Sequence, residues 1–296
     1  MATVRGGTPG QRFAFIACHG PEIGVRYLCQ HLQVSRSGYY AWLRRPRCER
    51  SQQDGDLIRQ IEHIFTHHRE RYGSPRVHAV LRQQGVLVAR KRVARLMRDN
   101  GMKARMSRLY KRHSAGVARS VALISNLRLS LPRPTSPNQH WAGDVTYIRH
   151  GKSWRYLAVV VDLYSRRVIG WSLAKHRTSE LTRAALMMAL RRRTPHPGAI
   201  FHTDRGSEYR CSALQKLLAT KQMRPSVNRA KHCTDNAEVE SFFHTLKGEL
   251  IDGTSFATDR DLRSQIRNYL NHYYNQKRLH SSLGYRSPDQ YENLAA

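Results

Sequence analysis

The chain is 296 residues long, 40% hydrophobic and 8% aromatic, enough for one large domain or a medium domain with a small one. Lysine and arginine outnumber aspartate and glutamate by 51 to 21, and the resulting charge of +30 selects polyanionic partners, nucleic acid above all. No run of 18 apolar residues offers a membrane span, and the first 20 residues lack the apolar stretch of a secretory signal. Five cysteines without C-x-x-C spacing argue against a zinc site or disulfide framework and suit a reducing compartment.

The N-terminal part reads as helices. Ile23 to Leu32 sets Ile23, Tyr27, Leu28 and Leu32 at helical spacing. After a break at Val34-Ser35, a second helix is expected over Ser37 to Leu43, a pair of helix-turn-helix size. From about Asp56, Leu57, Ile58, Ile61, Ile64 and Phe65 share a helical face that stops at Tyr72-Gly73. Ser74-Pro75 opens a helix with Val77, Val80 and Leu81, closed by Gly85. The next carries Val93, Leu96 and Met97, ends at Asn100-Gly101, and presents Arg90, Lys91, Arg92 and Arg95 as a DNA-facing set; the plain alternative is a solvated basic face. His63, His67 and His68 lie close together, but adjacent positions point apart on a helix, so no metal role follows.

Between Asp99 and Asp144 there is no acidic residue, while Lys103, Arg105, Arg108, Lys111, Arg112, Arg119, Arg128 and Arg133 fall there. A basic linker over 106–136 that tracks DNA is the expectation, with Pro132, Pro134 and Pro137 marking its end. Strands are then expected at His140 to Ile148, Tyr156 to Asp162 and Val168 to Leu173, followed by a helix from Ser179 through Leu190. A strand at Ala199 to His202, a helix at Ser212 to Thr220, a strand at Met223 to Val227 and a helix from Asn236 to Leu250 complete an α/β order with one mixed sheet.

Three carboxylates stand out by position. Asp144 lies in the first strand on the face of Thr146 and Ile148, where a charge needs a cation or hydrogen-bond partner. Asp204 ends the fourth strand, at the C-terminal rim where open sheets gather ligands. Glu240 shares a helical stripe with His244 and Lys247, beside the apolar stripe Val239, Phe242, Phe243, Leu246 and Leu250. Asp235 and Asn236 read as caps of that helix. Between Asp144 and Asp204 stand 59 residues, and between Asp204 and Glu240 stand 35.

With this spacing go the stretches Ser35 to Tyr40, Tyr72 to Arg76, Trp141 to Tyr147, Tyr156 to Arg167, His202 to Tyr209, Asp235 to Lys247 and Tyr274 to Pro288. From about residue 13 to 291 the chain resembles the second-reading-frame (OrfB-type) transposases of the IS3 group of bacterial insertion sequences, which share a catalytic core with retroviral integrases. The resemblance implies an RNase H-like mixed five-stranded sheet with flanking helices over 137–296, ending in a helical tail, behind a helix-turn-helix-like DNA-binding region over 13–105. It implies that Asp144, Asp204 and Glu240 form an Asp-Asp-Glu triad binding two divalent ions, Mg2+ with Mn2+ as an alternative, for cleavage at the element's ends and transfer of the 3′-hydroxyl to target DNA. Lys247 matches a basic position of the family motif and is expected to contact DNA near the cut.

Asn275, Arg278, His280, Leu283 and Pro288 match the family's closing motif and read as packing and turn residues, with Arg278 a further candidate for DNA contact. The implied partners are terminal-repeat and target DNA, further copies of the chain on DNA, and the first-frame product, at the nucleoid in a bacterial cytoplasm. Two features depart from the family pattern: Glu208 stands where many relatives carry Gln, and the loop Val227 to Cys233 lacks the usual serines. An RNase H-type nuclease using the same acids and a noncatalytic DNA-binding regulator are the alternatives.

Overall fold

The computed structural model describes residues 7–44, 49–105, 126–128, 130–229 and 233–294. Most of the basic linker, with Arg108, Lys111, Arg112 and Arg119, lies outside them. The chain forms two compact units, Met1–Ile61 and Glu62–Ala296.

In the first unit, α1 (Pro9–Ile23), α2 (Val25–His31) and α3 (Arg36–Arg44) enclose Ile16, Leu28, Cys29, Leu32 and Tyr39, with Phe13 and Trp42 against them. α1 starts at a capping box: the Thr8 side chain accepts the Gln11 N–H, and the Gln11 side chain accepts the Thr8 N–H. Pro9 suits the first turn, which needs no donor there, and Pro21 falls in the last. Gly24, at φ +97°, breaks the chain between α1 and α2, so the single helix expected from Ile23 is two. Ile23 ends α1 and stays 41% exposed instead of starting a buried stripe.

The division between units falls within α4 (Glu49–His67). In the second unit, α5 (Ser74–Gln83) and α6 (Arg90–Asp99) bury Val77, Leu81, Val93, Leu96 and Met97. This helical segment is bonded to the C-terminal part of the chain. Arg71 Nε donates to the Glu249 carbonyl at 3.2 Å, Tyr72 Oη to Lys277 O at 3.1 Å, and Arg76 Nε to Leu279 O at 2.9 Å.

The sheet comprises β1 (His140–His150), β2 (Ser153–Asp162), β3 (Val168–Ala174), β4 (Ile200–Thr203) and β5 (Arg224–Val227), in the order β3-β2-β1-β4-β5. β1–β2 and β2–β3 are antiparallel, and β1–β4 and β4–β5 parallel, the mixed sheet expected. Alternation sends Trp141, Ala158 and Phe201 into a core with α7 (Ser179–Arg192) and α8 (Ser212–Thr220). Ala142, Ile148 and Val159 enter the opposite core with α9 (Ala237–Leu246), α10 (Asp259–Asn268) and the Tyr269–Tyr274 turns. Gly170 lets α7 lie close on β3, since a Cβ there would stand 2.2 Å from the Ala185 carbonyl oxygen. α9 passes at Lys247 into a π-helical turn, Lys247–Ile251, and α11 (Pro288–Asn293) closes the chain.

Candidate active site

The parallel ladder fixes the first two carboxylates. His140, Trp141 and Ala142 pair with Ile200, Phe201 and His202, an offset of 60 residues. Carried two positions on, it sets Asp144 beside Asp204, neighbouring strands being about 4.8 Å apart. β4 ends at Thr203, so Asp204 leaves the sheet at its rim, next to the part of β1 that continues past its parallel partner. Both side chains fall on the face of Ala142 and Ile148, which α9 covers, and α9 carries Glu240 in its first turn.

The electrostatics agree with this placement. Burial pushes the Asp144 carboxyl up to about 7; Asp204 and Glu240 raise it further, while the Val145 N–H, 2.7 Å from its Oδ1, opposes. Asp204 is raised too, by burial and by Glu208, against a hydrogen bond from the Gly206 N–H and the charge of Arg177. Glu240, exposed on the helix, is raised by partial desolvation. Three acids in one field strain against ionisation, the situation a divalent cation relieves. The set is all-oxygen, which fits a hard cation such as magnesium. Among the described residues no three acidic, histidine or cysteine side chains stand close enough to close a metal cage.

Arg177 is the residue the sequence pattern does not reveal. It precedes α7, donates from Nε to Glu208 Oε1 at 2.7 Å, and brings an Nη2 within 3.5 Å of Asp204 Oδ2. Glu208, the departure from the family pattern, is 7% exposed and turned inward to this guanidinium. A lone Arg in His176-Arg177-Thr178 carries no signal; only the fold brings it to the acids.

Lys247 lies half-buried at the end of α9, its Nζ 4.4 Å from the centre of the Tyr147 ring. Burial lowers its ammonium, and Asp252 and then Asp144 raise it, so it stands in the field of Asp144. His202, under Asp204, is lowered to about 4 by burial and is neutral. Its Nε2 lies 2.7 Å from Asn228 Oδ1 and its Nδ1 2.9 Å from Ser226 Oγ; Ser226 also takes the Leu127 N–H, which assigns the ring proton to Nε2.

The expected caps behave otherwise. Asn236 occupies the N-cap position without a capping bond and sends Nδ2 to Gly143 O, 3.5 Å away. Asp235 accepts from the Arg229 backbone and side chain and from Asn126, which hold its carboxyl far below the usual range. These bonds tie down one side of the loop before Glu240, whose residues 230–232 lie outside the described set.

Arg90 and Lys91 are exposed on α6, and Arg92 and Arg95 half-buried. Arg278 is not presented to DNA. It is 3% exposed and bonds both oxygens of the fully buried Glu249, at 3.0 and 3.1 Å from Nε, so its charge is neutralised inside the fold.

A mixed five-stranded sheet bearing acids from two parallel strands and a covering helix defines a DDE-type transposase or integrase core. The integrase core domain model matches residues 134–233 and a second integrase core domain model residues 221–288, while an HTH-like domain model matches 52–110. The chain is 41% identical to transposase InsF for insertion sequence IS3A of Escherichia coli K12, covering 95% of this chain and 98% of that one. It is 35% identical to an uncharacterized 31 kDa protein of insertion element IS600 from Shigella sonnei, over 91% and 100%. Among solved structures, the HTLV-2 integrase catalytic core is 22% identical, over 53% of this chain and 98% of that one, at a TM-score of 0.41. The chain belongs to the OrfB-type transposases of the IS3 group. No helix among the described residues is long and apolar enough to cross a membrane.

Proposed function

We propose that this transposase is a catalytic subunit that cuts DNA at insertion-sequence ends and transfers the 3′-hydroxyl to target DNA, with Asp144, Asp204 and Glu240 as its metal-binding triad. The observation that supports the reading is the parallel register that pairs Ala142 with His202, two residues before Asp144 and Asp204, together with the electrostatic coupling of Asp144 to Asp204 and Glu240. Two magnesium ions, or manganese in their place, would supply Lewis acidity at the attacking and leaving oxygens. The chain's own contribution is positional. Asp144 and Asp204 are fixed by the sheet, and Glu240 completes the set from a helix whose buried stripe seats it on that sheet. Lys247, beside the triad, offers a cation to a phosphate of the strand being cut. The exposed basic residues of α6 extend the binding surface, Arg90 and Lys91 foremost. Terminal repeats and target DNA are the substrates; further copies of the chain and the first-frame product are the partners, at the bacterial nucleoid.

The test is a magnesium-dependent assay of cleavage and joining on labelled terminal repeats, wild type against Glu240→Gln. Loss of both steps by two orders of magnitude or more, with DNA binding kept, is expected. Equal rates would sink the triad, and cleavage without joining would favour a nuclease.

A further inference from the structure

Away from the triad, on the other flank of α9, lies a cavity of about 370 Å³ that this reading leaves unused. Arg76, Arg166, Arg278, His280, Ser241 and Ser282 are among its lining residues. Around α9, Ser241 stands about 100° from Glu240, so the cavity and the triad look out on different sides of the helix.

The cavity is built for a negative charge. Arg76 and Arg166 face it, Arg278 lies in its wall already neutralised by Glu249, and Glu238 is its one lining carboxylate. Glu238 is already shared, lying 2.8 Å from Arg128 Nη2 and 3.5 Å from Arg166 Nη1. Glu249 is committed to Arg278 from behind. His280 is 9% exposed, and its Nε2 is buried with no hydrogen-bond partner among the described residues. Burial and the charges of Arg278, Arg76 and Arg166 hold this imidazole far below its usual pKa, so it is neutral and keeps one N–H to offer. In the tautomer that carries the proton on Nε2, this unmet atom at the wall of a cationic cavity meets an acceptor. The Ser241 and Ser282 hydroxyls add donors that phosphate oxygens accept.

The occupant follows from what adjoins the cavity. Arg166, Ala237, Glu238 and Ser282 also line a second cavity of about 440 Å³, which brings in Arg128 and Arg133. Two arginine-lined cavities in succession along one helix match the repeated charge of a strand better than a single small anion.

We propose that this groove along α9 is a phosphodiester-binding track, with His280, Arg76 and Arg166 around one backbone phosphate and Arg128 and Arg133 by the next. It rests on the DNA-processing reading above, but needs no metal and none of the triad.

The test is binding of a fluorescently labelled terminal-repeat duplex by the full chain in EDTA, across a salt series. Ser241→Glu places a carboxylate in the cavity from an exposed helix position and disturbs no core. Arg166→Asn removes a cation while keeping a residue that tolerates the φ of +62° found there. Both variants are expected to bind DNA at least fivefold more weakly at low salt. Each should also show a flatter salt dependence, by about 0.9 in the slope of log K against log salt for every phosphate no longer neutralised. Unchanged affinity and slope in both variants would overturn the proposal. So would a free-anion site: inorganic phosphate raising the unfolding temperature of wild type but not of Ser241→Glu, with DNA binding unaltered. Loss of magnesium-dependent cleavage in Glu240→Gln has no bearing on this binding, so the two readings fail separately.

Discussion

Replacing Asp144 by Asn should make the metal-free protein more stable, and increasingly so as the pH rises. The Asp144 carboxyl titrates near 7 instead of the ordinary 3.8, chiefly because burial opposes its charge. Between those values the folded protein keeps a proton that the unfolded chain has released, so stability falls as pH rises from about 4 to about 7 and is level above. At 1.36 kcal/mol per decade, the whole interval corresponds to roughly 4 kcal/mol. About 2–3 kcal/mol of it falls between pH 5 and pH 8, part of it shared with the neighbouring Asp204. The amide of Asp144→Asn does not titrate, so its advantage over wild type should widen by that amount across the range. The assay is urea unfolding of both proteins in EDTA at pH 5, 6.5 and 8, repeated at pH 8 with millimolar magnesium. Magnesium should narrow the gap, because only wild type presents the full ligand set. A pH-independent difference, or one that shrinks toward pH 8, would refute the reasoning.

The Arg278–Glu249 pair should behave in the opposite way. Arg278→Met strands a fully buried carboxylate whose remaining side-chain donor is Tyr269 Oη at 2.9 Å, and a loss of about 3–5 kcal/mol is expected in urea unfolding at pH 7. A loss below about 1 kcal/mol would mean that water reaches Glu249. Around Asp204, removing a cation and removing an anion should have opposite signs: Arg177→Gln should tighten manganese binding, measured by calorimetry, and Glu208→Gln should weaken it, each on the order of tenfold. Shifts in the same direction would show that the pair acts through packing and not through charge.

The strand β2 was legible because a buried strand is a run of apolar, β-branched residues: the stretch from Tyr156 to Asp162 could hide nowhere else. The three acids proposed as a triad stood out because their spacing repeats across a family. Helix α1 was not, since Pro9, Gly10 and Pro21 read as breakers until Thr8 and Gln11 are seen to cap the turn that Pro9 opens. The charge partners were equally hidden. Arg177 and Glu208 are 31 residues apart, and Arg278 and Glu249 are 29 apart, and no local pattern says which cation meets which acid. Arg278 read as a packing and turn residue with DNA contact left open for that reason; its partner is a carboxylate on the π-helical turn, which periodicity extends as ordinary helix.

The bonds from Arg71, Tyr72 and Arg76 to Glu249, Lys277 and Leu279 join positions 178, 205 and 203 residues apart. Such bonds close some of the longest loops the chain allows, and they form only after the local helices and the sheet have offset that entropy. On the ribosome, residues 71–76 therefore wait, with their polar groups solvated, until residues 249–279 have been made. A nascent chain cut short before Glu249 carries the residues of α5 and α6 but lacks all three of these acceptors.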